Sequence, residues 1–174
     1  RISELAESGT VKKWVPSLAA SAPLYASPTI RNAATIGGNA ANASPCADGV
    51  CALAAAGARV VLNLKGRRRK LPLLSLMRGP KKTALRKDGL IEGVLVPKWK
   101  HKAIFLKMMP RKLFGIAKAS LCLCYAAEGG AFRRIDMALA SVGPVIIRPL
   151  KTLALLKGKK LTPELAAKAA RLVR

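Results

Sequence analysis

The stretch Ile30-Arg31-Asn32-Ala33-Ala34-Thr35-Ile36-Gly37-Gly38-Asn39-Ala40-Ala41-Asn42-Ala43-Ser44-Pro45-Cys46-Ala47-Asp48 concentrates the chain's chemistry. Gly37 and Gly38 have no Cβ, so they allow unusual backbone angles and the close approach of a ligand. Thr35, Asn39 and Asn42 put hydroxyl and amide groups around that pair. Ser44-Pro45 reads as a helix start, with serine as N-cap and proline at the first helical position. Such a start offers unpaired N–H groups and the positive end of a dipole, where a phosphate is stabilised. Asp48, in the first turn, is suited to accept a hydrogen bond from a sugar hydroxyl. The residues thus describe a phosphate loop with a ribose acceptor. An ordinary Gly-Gly turn before a capped helix accounts for them equally well. Neither G-x-G-x-x-G nor the Walker pattern occurs, so a Rossmann or P-loop reading fails.

Upstream of this stretch, Ile2–Trp14 and Ser17–Ala22 read as short helices broken at Gly9 and Pro16, and Ser27–Asn42 as a polar, Gly- and Asn-rich segment. Downstream, the helix from Ser44 runs through Ala56 and stops at Gly57, a suitable C′ residue. Arg59–Leu64 and Arg69–Leu73 are expected strands, Ser75–Arg78 a helical turn before Gly79-Pro80, and Leu90–Val96 a strand closed by Pro97. Ala103–Met109, Ile116–Glu128 and Phe132–Val142 form an expected three-stranded antiparallel meander. Its second turn is Gly129-Gly130. Thr162-Pro163-Glu164 caps a last helix, Pro163–Val173. The order is that of an α+β fold with a boundary near residues 97–102.

Composition removes several classes of function. The 174 residues hold 32 Lys+Arg against 8 Asp+Glu, a net charge of +24, and 51% are hydrophobic, enough for a packed core. The longest uncharged apolar run, Gly49–Ala58, is about half of what a membrane-spanning helix needs. Arg1–Thr10 carries two glutamates and no apolar run, so no secretory leader is expected there. Cys46, Cys51, Cys122 and Cys124 read as reduced, buried thiols of a cytoplasmic protein. One histidine, His101, sits in a run of lysines and reads as a solvated residue on a basic turn, which removes Ser-His-Asp and zinc schemes. The charge predicts attraction to polyanions. Its short clusters, Arg67–Lys70, Lys81-Lys82, Arg111-Lys112, Arg133-Arg134 and Lys157–Lys160, look like solvated turns, and only seven aromatics are available for stacking.

The segment IRNAATIGGNAANASPCAD resembles the second FAD-binding stretch of the molybdenum hydroxylase flavoproteins. These comprise the medium subunit of carbon monoxide dehydrogenase and the flavin domain of xanthine dehydrogenase, of PCMH type. Further segments are similar to the family in the same order. They are Ala58–Leu62, Leu90–Pro97, Lys107 with Arg111 and Ile116-Ala117, Val142-Gly143-Pro144 with Arg148, and Lys157–Leu161. The resemblance implies the second subdomain of a PCMH-type FAD-binding domain over residues 1–99. A carbon monoxide dehydrogenase flavoprotein C-terminal-like domain would follow over residues 100–174.

On this resemblance Thr35, Ile36, Gly37, Gly38 and Asn39 wrap the FAD pyrophosphate, with Asn42 and Ser44 supporting the loop. Asp48 binds ribityl or ribose hydroxyls, Tyr25 is the aromatic against the flavin, Ile91 contacts the isoalloxazine region, and Lys107 reaches the flavin's polar edge. A cation at that edge favours the negative charge of reduced flavin. No catalytic acid or base and no metal ligand is implied. The implied function is an FAD-binding electron-transfer component of a molybdenum-hydroxylase-type oxidoreductase, inactive without its partners. Those partners are an iron–sulfur subunit and a molybdopterin-binding subunit. The family's preceding subdomain, which supplies the other half of the pyrophosphate cradle, is expected to be missing here, as in a fragment, a split gene with a separate N-terminal FAD half, or a diverged relative. The family's closing helices are likewise expected to be missing. The second reading is a non-enzymatic basic protein on a relic of this fold, binding nucleic acid or an acidic partner.

Overall fold

The computed structural model describes residues 1–111 and 114–173. The chain opens with three one-and-a-half-turn helices, α1 (Ile2–Glu7), α2 (Gly9–Trp14) and α3 (Pro16–Ser21). Ser8 breaks the first pair by capping α2, its Oγ accepting from Val11 N at 3.3 Å, and Pro16 starts α3 at a position that needs no donor. The segment expected to be an open polar loop folds instead into α4 (Pro28–Ala33) and α5 (Ile36–Ala41). Ser27 and Thr35 cap them through Ile30 N and Gly38 N. The Thr35 cap, worth about 1 kcal/mol, offsets part of the poor helix propensity of Gly37 and Gly38, and packing of α5 against the helix Asp48–Ala55 and the strand Gly89–Leu95 supplies the rest.

The helix expected from Ser44 begins later, as α6 (Asp48–Ala55). Ser44 forms a turn, its Oγ accepting from Cys46 N at 3.2 Å and its carbonyl from Ala47 N at 3.1 Å. These local bonds compete with the cap role read from Ser44-Pro45. The unusual backbone angle of the stretch lies at Ala43, with φ of 46°, and Gly37 and Gly38 take ordinary helical angles. Gly57, at φ 77°, ends α6 as expected.

Strands follow: β1 (Arg59–Leu64), β2 (Arg67–Pro72), β3 (Met77–Gly79), β4 (Lys82–Thr83) and β5 (Gly89–Leu95). β2, β1 and β5 form an antiparallel sheet in that order. The helical turn expected at Ser75–Arg78 lies at Leu73–Leu76, and Met77–Gly79 pairs with β4. After residue 100 come β6 (Lys102–Met108), β7 (Ala119–Glu128) and β8 (Ala131–Ala140), the forecast meander, then α7 (Leu150–Leu156) and α8 (Pro163–Arg171). Gly129 and Gly130, both at positive φ (56° and 82°), make the tight turn of β7 and β8.

Helix α6 is buried along its whole length and packs on β7 and β8. Its apolar atoms join those of both sheets in one cluster, from Leu53 and Val60 to Phe105, Cys122 and Ala138. β7 alternates, sending Cys122 and Cys124 to this cluster and Leu121, Leu123 and Tyr125 to a second one under α7 and α8. All four cysteines are free; Cys51, Cys122 and Cys124 are buried, whereas Cys46 is only half-buried, against expectation. No helix among the described residues is long and apolar enough to cross a membrane.

Candidate functional site

The turn that replaces the expected helix start delivers Asn42, Ser44, Pro45 and Cys46 to the wall of a cleft of about 560 Å³. The beginning of α6 contributes Asp48, α5 contributes Asn39, the segment after α3 contributes Tyr25, and β6 contributes Lys107. Six of the eleven expected site residues therefore meet: Tyr25, Asn39, Asn42, Ser44, Asp48 and Lys107. Thr35, Ile36, Gly37, Gly38 and Ile91 do not line it. They sit on the adjoining surface, where a Cβ on Gly37 would lie 3.8 Å from Ile91 Cγ2. Phe114, Ile116 and Lys81 also line the cleft. The sequence carried no signal for Phe114 or Lys81, because nothing local links a lysine after a Gly-Pro break to a turn forty residues earlier. The link is tertiary: Lys81 N donates to Ala43 O at 3.1 Å.

Electrostatically the cleft is organised by one buried ion pair. Lys107 Nζ lies 2.7 Å from Asp48 Oδ2 and donates to Leu24 O at 2.9 Å, with the two side chains only 4% and 6% exposed. Lys107 is thus no surface charge; it ties β6 to the first turn of α6 and to the end of the N-terminal helices. Burial pushes the Asp48 carboxyl above its ordinary range, and the hydrogen bond and charge of Lys107 oppose that rise. Asp48 also lies in the first turn of α6, where a carboxylate meets the positive helix end.

Beside this pair, Asn39 Nδ2 donates to the Tyr25 hydroxyl at 3.2 Å. Burial, then the charge of Asp48, raises the Tyr25 phenol, and the Asn39 bond opposes it. Asp48 Oδ1 and Asn39 Oδ1 are buried and have no hydrogen-bond partner. Two orphaned acceptors in a cleft wall fit the hydroxyl donors of a sugar or polyol chain. Gly49 makes this packing possible, since a Cβ there would sit 2.8 Å from Ile36 Cδ1 and 2.9 Å from Asn39 Oδ1. Next to the cleft, Thr35 occupies the Gly38 N–H of α5, leaving the N–H groups of Ile36 and Gly37 without intrahelical partners. No group of three or more metal-ligating side chains occurs among the described residues.

Two unpartnered buried acceptors, an aromatic and a buried cation around one cleft are the groups with which a domain can hold a cofactor. Residues 1–99 match the family described as the FAD binding domain in molybdopterin dehydrogenase, and the chain belongs to that family. FAD is the cofactor that this membership indicates. It is 29% identical over 169 residues to the carbon monoxide dehydrogenase medium chain of Hydrogenophaga pseudoflava. That match covers 97% of this chain and 59% of the relative. It is 25% identical over 149 residues to the xanthine dehydrogenase FAD-binding subunit of Escherichia coli O157:H7, covering 84% and 51%. The fold superposes on carbon monoxide dehydrogenase from Hydrogenophaga pseudoflava with a TM-score of 0.93 and 30% identity, over 98% of this chain and 60% of that one. Reconstituted CO dehydrogenase from Oligotropha carboxidovorans gives the same TM-score, 0.93, and the same coverages, 98% and 60%, at 25% identity. The chain thus spans little more than half the length of these relatives.

Proposed function

We propose that this chain is an electron-transfer component of a molybdenum-hydroxylase-type oxidoreductase and holds FAD in the cleft around Asp48. The chemistry the cofactor supplies when bound is electron transfer, between the [2Fe-2S] clusters of a partner subunit and NAD, oxygen or a quinone. The residues of this chain bind and orient. Asp48 Oδ1 and Asn39 Oδ1 accept from sugar or polyol hydroxyls. Tyr25 lends its ring to the cleft wall, and Lys107 keeps a positive charge there. The first-turn N–H groups of α5, with Thr35 as cap, serve the pyrophosphate, and Asn42 and Ser44 hold the turn that follows. Ile91 packs beside Gly37 and, on the resemblance, contacts the isoalloxazine region. The division into an FAD-binding part, residues 1–99, and a C-terminal part, residues 100–174, is part of the same proposal. So are an iron–sulfur partner, a molybdopterin-binding partner and a cytoplasmic setting.

The observation that carries the reading is the pair of buried, unpartnered acceptors beside the Lys107–Asp48 ion pair. The test is the visible absorption spectrum of the purified chain after addition of excess FAD and removal of what is free. Retention of a shifted, structured flavin band is expected. Asp48→Ala should weaken FAD binding by about 10- to 100-fold, the loss of one or two hydrogen bonds to a charged group. A parent that stays colourless even with the N-terminal FAD half supplied in trans, or equal retention by the Asp48→Ala variant, overturns the placement of the cofactor in this cleft.

A further inference from the structure

Where β5 hands over to β6 lies a second concavity of about 480 Å³. It is lined by Trp99, Lys100, Arg133, Arg134, Ile135 and Lys157. None of the described residues that line it is a carboxylate, and four of the six are cations drawn from three separate segments. We propose that this concavity binds a small polyanion of the oligophosphate class, at a site separate from the Asp48 cleft.

Arg134 is held by an aromatic contact, and backbone pairing brings Lys157 towards Arg133. Arg134 Cζ stands 4.0 Å over the Trp99 ring. Trp99 in turn stacks on His101, ring centroids 4.2 Å apart and planes 21° from parallel. His101 Nδ1 donates to the Trp99 carbonyl oxygen at 2.8 Å. His101 is therefore a stacked, half-buried strut and not the solvated turn residue its lysine-rich neighbourhood suggests. Lys157 is brought to Arg133 by two backbone bonds, Gly158 N to Phe132 O at 2.9 Å and Phe132 N to Lys159 O at 3.0 Å. Lys100, Arg133, Arg134 and Lys157 form no ion pair with any described residue. The indole N–H of Trp99 is buried and has no acceptor.

Four like charges gathered around one hollow repel each other, and an anion in the hollow removes that repulsion. The volume is that of a small-molecule site. Trp99 already has both Arg134 and His101 against its ring and its indole N–H is buried, so its part in the site is to hold the Arg134 guanidinium. Recognition therefore falls on charge and on N–H donors, which suits phosphate oxygens, and four cations suit a linked di- or triphosphate better than one phosphate.

Trp99 is a built-in reporter once Trp14, the other tryptophan, is replaced. In a Trp14→Phe background, the full chain is titrated with sodium tripolyphosphate at moderate salt. Trp99 emission is followed, with calorimetry on the same samples. Saturable one-to-one binding is expected. Arg133→Gln with Lys157→Gln should weaken it by at least about tenfold, the removal of two charge-assisted contacts. Arg69→Gln with Lys70→Gln removes the same charge from the exposed β2 and should change it by less than about twofold, as screened distant charges do. All four side chains are exposed, so the variants keep the fold. Absence of saturable binding by both readouts overturns the proposal. So does equal weakening by the two double variants, or tighter binding of an oligoglutamate than of tripolyphosphate. Flavin retention is read from the visible spectrum of the same samples, so failure here and failure of the FAD assignment are told apart.

Discussion

Replacing Lys107 by methionine keeps the length and apolar stem of the side chain and deletes the charge that faces Asp48. At 2.7 Å the bare attraction between the pair is about 6 kcal/mol at an effective dielectric of about 20. With the side chains 4% and 6% exposed, desolvation cancels much of that gain. Removing one partner alone is a different matter, because the other charge stays buried without compensation, at a loss of about 3–5 kcal/mol. Leu24 O also loses its donor. The sign with pH follows from Asp48. Its folded-state carboxyl is already raised by burial, and without Lys107 the hydrogen bond and charge that oppose that rise are gone. The raised carboxyl favours the folded state at low pH, and that advantage is lost as pH climbs from the unfolded value through the folded one. Lys107→Met should therefore fall furthest below the parent at neutral pH and recover as the pH is lowered into the acid range, where Asp48 takes up a proton. Adding Asp48→Asn should restore most of the loss, since neither charge is then stranded. The assay is urea unfolding followed by tryptophan emission across that pH range, with all four members of the cycle. A loss under about 1 kcal/mol, a loss independent of pH, or a double variant no better than Lys107→Met would each refute the ion pair as the organiser of the cleft.

Three further outcomes follow from the geometry. Gly49→Ala puts a methyl 2.8 Å from Ile36 Cδ1 and 2.9 Å from Asn39 Oδ1, and should lower stability by about 1–3 kcal/mol in chemical denaturation while weakening FAD retention. A thiol-reactive dye should label Cys46 quickly and the other three cysteines only on unfolding. Cys51 and Cys122 are buried, and their thiols are pushed up, Cys51 to about 12. Fast labelling of more than one thiol in the native protein would contradict the packing of β7 on α6. Gly130→Val forces a β-branched residue to φ 82° and should cost about 1–2 kcal/mol in the same denaturation assay, with no change in FAD retention.

Much of the second half of the chain was legible because its signals are local. The Gly-Gly turn, the alternation along β7 and β8 and the Thr162-Pro163 start of α8 each fix an element without outside help. The stretch from Ser27 to Asp48 was legible as a mark of the family and misread as backbone. Its short helices rest on capping bonds from Ser27 and Thr35 together with tertiary packing of α5, and Ser44 spends its hydroxyl on a turn. The two-turn helix α7 has no forecast boundary, since Pro149 offers no side-chain cap. What no local pattern encodes is the meeting of Asp48 with Lys107, 59 residues apart, which turns two isolated charges into one buried pair. The same holds for His101, whose stacking on Trp99 is invisible in a run of lysines.

The β2 strand has a further consequence. It is the outer strand of its sheet, and Arg67, Arg68, Arg69 and Lys70 are all exposed along it. An outer strand with free N–H and C=O groups is a template on which another copy can add its own strand. Here any such addition in antiparallel register would stack four cations against four, and the sheet stops growing at three strands. That protection is electrostatic, so concentrated salt or a dissolved polyanion weakens it. Under those conditions self-association of the chain should begin at this edge.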